Sequence, residues 1–149
     1  MADKRTVRIE QVDHIGIRVR DLERALAFYR VLGFELRHKV SHDAVAIIAN
    51  EAGIEINLIY NANAGDDGTN ILMDIPDRKY AGYTHVALRV TFVNDTLAAL
   101  KENGIAISQG PVTFGDGHVS VFVRDPDHNV IELRGREQDT EGVAFYTPE

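Results

Sequence analysis

Between residues 12 and 20 apolar and polar side chains alternate, the pattern of a strand with one face in a core. Ile15, Ile17 and Val19 fall on one side; His14, Gly16 and Arg18 fall on the other. At Asp21 the period lengthens. Leu22, Ala25, Leu26, Tyr29 and Leu32 recur at helical spacing behind an aspartate suited to cap the first turn. Gly33 then stands where a helix often needs a left-handed residue. Three short β-rich runs follow, over residues 34–41, 44–49 and 54–61.

The same pattern then returns. At a constant offset of 71 residues, His14 matches His85, Arg18 matches Arg89, Val19 matches Val90, Leu26 matches Leu97 and Gly33 matches Gly104. A repeat of this length marks two copies of one supersecondary unit. The second copy reads as a strand over 83–90, a helix from about Asn94 to Asn103, and strands over 105–108, 118–124 and 130–134. Gly115-Asp116-Gly117 and Asp125-Pro126-Asp127 supply turn chemistry around the later strands. Each copy is therefore βαβββ. The expected organisation is a first module at 10–61, a linker at 62–82, a second module at 83–135 and a tail at 136–149, within one α+β domain. The linker is rich in Gly, Asp and Asn, with a short ordered piece expected near 71–75. Phe145 and Tyr146 in the tail either dock on a partner or stay loose.

Length and charge narrow the picture further. A chain of 149 residues buries about 70% of its unfolded surface and needs no staples. It has no cysteine, so disulfides, thiol nucleophiles and zinc–thiolate sites are excluded. Neither a membrane-length apolar run nor a signal-like N-terminus is present, which predicts a cytoplasmic protein without membrane partners. A net charge of −7 argues against nucleic acid as a partner.

The candidate chemistry lies on the faces that the helices leave free. His14 and His85 occupy equivalent points of the two opening strands, and Glu132 sits within the apolar run Val-Ile-Glu-Leu. A carboxylate there is costly unless it is paired or metal-bound. Imidazole and carboxylate donors together suit Zn, Ni, Co, Mn or Fe(II), with coordination positions left open for substrate. Arg18 and Arg89 are open to a site role or a solvated one. His38, His42, His118 and His128 have no equivalent partner and read as surface or loop residues. Gly115–Gly117 reads as a hairpin turn, since no strand-to-helix transition follows it.

Several motifs together resemble the vicinal oxygen chelate superfamily, which includes glyoxalase I, extradiol dioxygenases and bleomycin resistance proteins. They are Asp13-His14-Ile15-Gly16-Ile17, Phe28-Tyr29-Arg30-Val31-Leu32-Gly33, Thr84-His85-Val86-Ala87-Leu88 and the run from Phe122 to Leu133. The resemblance covers about residues 10–135 and implies paired βαβββ modules whose mixed sheets form a cup, with helices outside. It implies His14, His85 and Glu132 as metal ligands and Glu132 as the catalytic carboxylate. In glyoxalase I a further glutamate comes from the last strand of the first module; here Asn57 stands at that place as a neutral, weaker metal ligand, and Glu55, one pleat away on the same face, is the alternative ligand. Arg18 and Asn61 match the positions that hold a glutathione carboxylate, a group suited to a guanidinium and an amide. The implied activity is that of a lactoylglutathione-lyase-like lyase/isomerase acting on a hemithioacetal or related 2-oxo compound. It would use a divalent metal ion, with glutathione as co-substrate, in a homodimer. Two other activities fit the superfamily: an Fe(II) dioxygenase, and a metal-free ligand-sequestering protein. Phe122 lacks the hydroxyl that the dioxygenases carry at its position.

Overall fold

The computed structural model describes residues 4–63 and 81–148. The ordered piece expected at 71–75 lies outside the described residues. The element order is β1 (Ile15–Arg18), α1 (Leu22–Val31), β2 (Glu35–Lys39), β3 (Val45–Ala49), β4 (Glu55–Ile59), β5 (His85–Arg89), α2 (Val93–Glu102), β6 (Ile107–Thr113), β7 (His118–Arg124) and β8 (Val130–Arg136). The chain is therefore βαβββ twice.

Alternation explains the strands. In β1 Ile17 is buried while Gly16 and Arg18 are exposed, and in β4 Ile56 and Leu58 are buried. Asp21 accepts a hydrogen bond from the Arg24 backbone N–H and opens α1. Its buried stripe is Ala25, Leu26, Phe28 and Tyr29. Phe28 widens the stripe beyond the expected positions, its ring meeting Tyr29 edge-on at 5.0 Å. Gly33 and Gly104 follow the two helices with φ of 92° and 68°, the left-handed geometry that ends a helix.

Each module forms a four-stranded mixed sheet, in the orders β1-β4-β3-β2 and β5-β8-β7-β6. The first strand of each runs parallel to the last, and the remaining pairs are antiparallel. One apolar core joins the modules, taking Leu26, Tyr29, Ile56 and Leu58 from the first and Val121, Val123, Ile131 and Leu133 from the second.

A polar latch reinforces that junction. The Tyr29 hydroxyl donates to Asp125 Oδ2 at 2.8 Å, linking α1 to the turn between β7 and β8. Asp125 also accepts from the backbone N–H groups of Asp127 and Asn129 and from the Asn129 amide. Beside it, Asp127 accepts from Arg20 and, at 2.8 Å, from Arg24. Burial outweighs these donors at Asp125 and raises its carboxyl above the usual range. Burial, with Asp125 beside it, also raises the Tyr29 phenol well above its ordinary value. The segment Asp125-Pro126-Asp127 is thus a turn, as its composition predicts, and a fastening between modules as well.

Two expectations shift. The strand expected at 105–108 is found as β6 at Ile107–Thr113, running on through Gly110 and Pro111. A proline fits there because β6 is the edge of its sheet and its register slips on both sides of Gln109. Gly110 is required for close approach: a Cβ on it would stand 2.5 Å from the Ser120 carbonyl oxygen. The tail also docks on its own chain. Tyr146 bridges Val112, its carbonyl accepting from Thr113 N–H at 2.9 Å.

Candidate metal-binding site

The register of the sheets fixes which residues are equivalent. Gly16 pairs with Asn57 across β1 and β4, and Ala87 pairs with Glu132 across β5 and β8. Since Gly16 and Ala87 are related by the repeat, Asn57 occupies the place of Glu132. Both lie on the helix-free faces, opposite the core residues Leu58 and Leu133. His85 opens β5, while His14 lies one residue before β1.

In the second module, His85 Nε2 lies 3.1 Å from Glu132 Oε2. Bonds of about 2.0–2.2 Å from one cation, at right or tetrahedral angles, put two donors roughly 3–3.5 Å apart, so both atoms fit a shared ion. Ser120 donates to the other carboxylate oxygen, Oε1, at 2.6 Å. The side chain of Glu132 is only 9% exposed. Thr84 Oγ1 engages His85 Nδ1 at 2.8 Å, and Phe122 holds the imidazole edge-on with centroids 5.8 Å apart. Arg134 Nη1 lies 3.9 Å from Glu132 Oε1, but that guanidinium is bound to Asp116, whose carboxyl it holds below the usual range.

The first module is looser. His14 Nδ1 contacts Asp13 at 2.6 Å and faces Glu55 Oε2 at 3.8 Å. The Glu55 side chain is 37% exposed. Among the described residues, Asp13, His14 and Glu55 form the one group of three potential ligands whose atoms all lie within 4.8 Å. Asn57 is half-buried, and among the described residues its Oδ1 has no hydrogen-bond donor. An acceptor left bare in this way suits a cation or a substrate donor.

Within the chain the candidate ligands thus fall in two pairs, His14 with Glu55 and His85 with Glu132. Both histidines line one cavity of about 510 Å³, together with Arg18, Tyr83 and Asn129. Arg18 and Asn61 are brought together, the guanidinium Nε donating to Asn61 Oδ1 at 3.2 Å. Arg89 is exposed, as are His38, His42 and His128, while His118 is partly buried and contacts Asp116. Sequence reasoning missed Ser120 and the Asp13–His14 contact. Ser120 could have been found from the hairpin register, which carries Ser120, Phe122 and Glu132 onto one face.

A model of the Glyoxalase/Bleomycin resistance protein/Dioxygenase superfamily matches residues 11–133. The chain belongs to that superfamily. Members of the superfamily typically bind a divalent metal, and these donors have the chemistry to hold one. Relatives include a lactoylglutathione lyase of Haemophilus influenzae, 29% identical over 90% of this chain and 98% of the relative. A Salmonella typhimurium virulence protein is 29% identical over 84% of this chain and 83% of its own. A Bacillus subtilis catechol-2,3-dioxygenase is 30% identical, but the match spans 42% of that protein. Among solved structures, a glyoxalase/dioxygenase from Nostoc punctiforme superposes with a TM-score of 0.68 at 21% identity, covering 90% of this chain and 99% of the other. An antibiotic binding protein from Streptomyces superposes at 0.62 with 24% identity, covering 88% and 99%. At these identities both show the fold.

Proposed function

We propose that this chain is a metal-dependent lyase/isomerase of the glyoxalase I kind, acting on a hemithioacetal or related 2-oxo compound. The observation that carries the reading is the pairing of a buried Glu132 carboxylate with His85 on the helix-free face. A carboxylate so placed is expensive without a positive partner. His14, His85 and Glu132 are the proposed metal ligands, with Glu55 in the place left by Asn57. The bound ion would polarise two neighbouring substrate oxygens as a Lewis acid. The protein's own residues do the rest. Arg18 and Asn61 receive the carboxylate of the thiol, here glutathione, and the phenyl face of Phe122 excludes water beside His85. Glu132 is the first choice for the group that carries the proton between adjacent carbons.

The same reading includes a homodimer in which His14 and Glu55 of one chain meet His85 and Glu132 of another. Two observations support it: among the described residues the ligand atoms of His14, His85 and Glu132 do not gather within 4.8 Å of one another in one chain, and apolar side chains are exposed around the cavity that the two histidines line. Val12 and Tyr83 on that cavity are 78% and 103% exposed. Patches of this kind mark contact surfaces. A mixed dimer of a His14→Ala chain and a His85→Ala chain tests the arrangement. Shared sites leave one intact His14/His85 pair per dimer and restore metal binding, whereas sites within one chain leave none.

A second reading has its own support. With Asn57 in place of a glutamate, His14, His85 and Glu132 make a two-histidine, one-carboxylate set suited to Fe(II). Assaying the metal-loaded protein on a glutathione hemithioacetal and on a catechol separates the two. Turnover of the hemithioacetal with Ni or Zn supports the lyase; catechol cleavage with Fe(II) replaces it.

A further inference from the structure

The helix-free faces of the two modules can be compared position by position. Across β3 and β4, Val45 pairs with Ile59 and Ile47 with Asn57; across β7 and β8, Ser120 pairs with Arg134 and Phe122 with Glu132. Since Asn57 and Glu132 are equivalent, Val45 is the equivalent of Ser120. The second module has a hydroxyl and a carboxylate at two neighbouring points, and the first has neither. The hydroxyl and the carboxylate are present together or absent together.

Ser120 is fully buried, and its Oγ donates to Glu132 Oε1 at 2.6 Å. That bond fixes one carboxylate oxygen and turns the other, Oε2, toward His85 at 3.1 Å. In the first module Asn57 Oδ1 lies without a donor among the described residues, as expected where valine replaces the serine.

We propose that Ser120 is the positioning residue that presents Glu132 Oε2 to the site, and that Val45 at the equivalent point leaves the first module unable to hold a buried carboxylate. The proposal rests on the reading of Glu132 as a metal ligand. Hydrogen-bond partners of a ligating carboxylate govern its orientation, and their loss typically weakens metal affinity about 10–100-fold.

The test uses the full chain with Ser120→Ala and Ser120→Thr, read in two ways. In metal-free protein the ring nitrogen shifts of His85 report its contact with Glu132; Co2+ titration then reports affinity. Ser120→Ala should lose the wild-type ring shifts and bind Co2+ about 10–100-fold more weakly. Ser120→Thr keeps the hydroxyl and should keep both. Wild-type shifts and an affinity within about twofold in Ser120→Ala would overturn the proposal. If wild type itself binds no Co2+, the metal reading fails, and the ring shifts still decide whether Ser120 orients Glu132. The first module supplies the converse. Asn57→Glu alone should lower the melting temperature, and adding Val45→Ser should recover part of the loss. A double variant no more stable than Asn57→Glu would contradict the role given to Val45.

Discussion

The two modules share one backbone plan and differ on the faces that their helices leave free. In the second module that face closes on itself: Glu132 is buried, tied to Ser120 and His85, and walled by Phe122. In the first it stays open, with Val45, Ile47 and Ile59 half-buried, Asn57 lacking a partner for Oδ1 among the described residues and Glu55 reaching His14 only at 3.8 Å. Duplication supplied the scaffold twice, and side chains at four or five registered positions then divided the work. One half is built to hold a charge in a fixed orientation. The other offers an adaptable donor set and an apolar wall.

The sharpest way to break this comparison is to remove the histidine of the tighter half. His85→Ala should reduce metal affinity by at least the 100-fold or so seen when outer partners of a ligand are lost, measured by competition with a chromophoric chelator. Retention of wild-type affinity would mean that the second module does not hold the ion.

The junction between modules should be next in effect. Tyr29→Phe removes one donor from buried Asp125 and should cost about 1–3 kcal/mol in denaturant unfolding. It also carries a pH signature. The folded phenol is raised above its unfolded value near 10, so the folded state binds its proton more tightly. The stability this contributes is fully present below about pH 10 and is lost as pH rises toward the folded value. Wild type should therefore lose stability above about pH 10 more steeply than Tyr29→Phe. Parallel curves for the two proteins would count against the latch.

Smaller effects belong to the open half. Glu55→Gln should weaken metal binding by roughly tenfold, less than His85→Ala, because Glu55 is more exposed and more loosely held. Arg18→Ala should raise KM for a glutathione hemithioacetal by roughly tenfold with little change in kcat, the mark of lost uniform binding. A fall in kcat of the same size would place Arg18 among the reacting groups.

Much of this was legible in the chain because duplication repeats its own evidence. The offset between His14 and His85 exposed both modules, and alternation put Arg18, Asn57 and Glu132 on the right faces before any coordinates. Asp21 marked the start of the first helix, and Gly33 and Gly104 marked the ends of both. What stayed hidden depends on pairing between distant segments. The bond from Ser120 to Glu132 needs the β7–β8 register, and the latch from Tyr29 to Asp125 spans 96 residues. β6 was expected at 105–108 and lies at Ile107–Thr113, because an edge strand accepts Gly110 and Pro111. The division of the candidate ligands into two pairs depends on how the modules pack, and periodicity carries no signal for that.

The account turns on Glu132 holding a metal in the closed half. Elemental analysis of wild type and Glu132→Gln, after loading with Ni2+ and removal of free ion, tests this most directly. The predicted result is about one equivalent per chain in wild type, in keeping with one His14/His85 pair, and little in the variant. Absence of metal from wild type, or a full equivalent retained by Glu132→Gln, would contradict it.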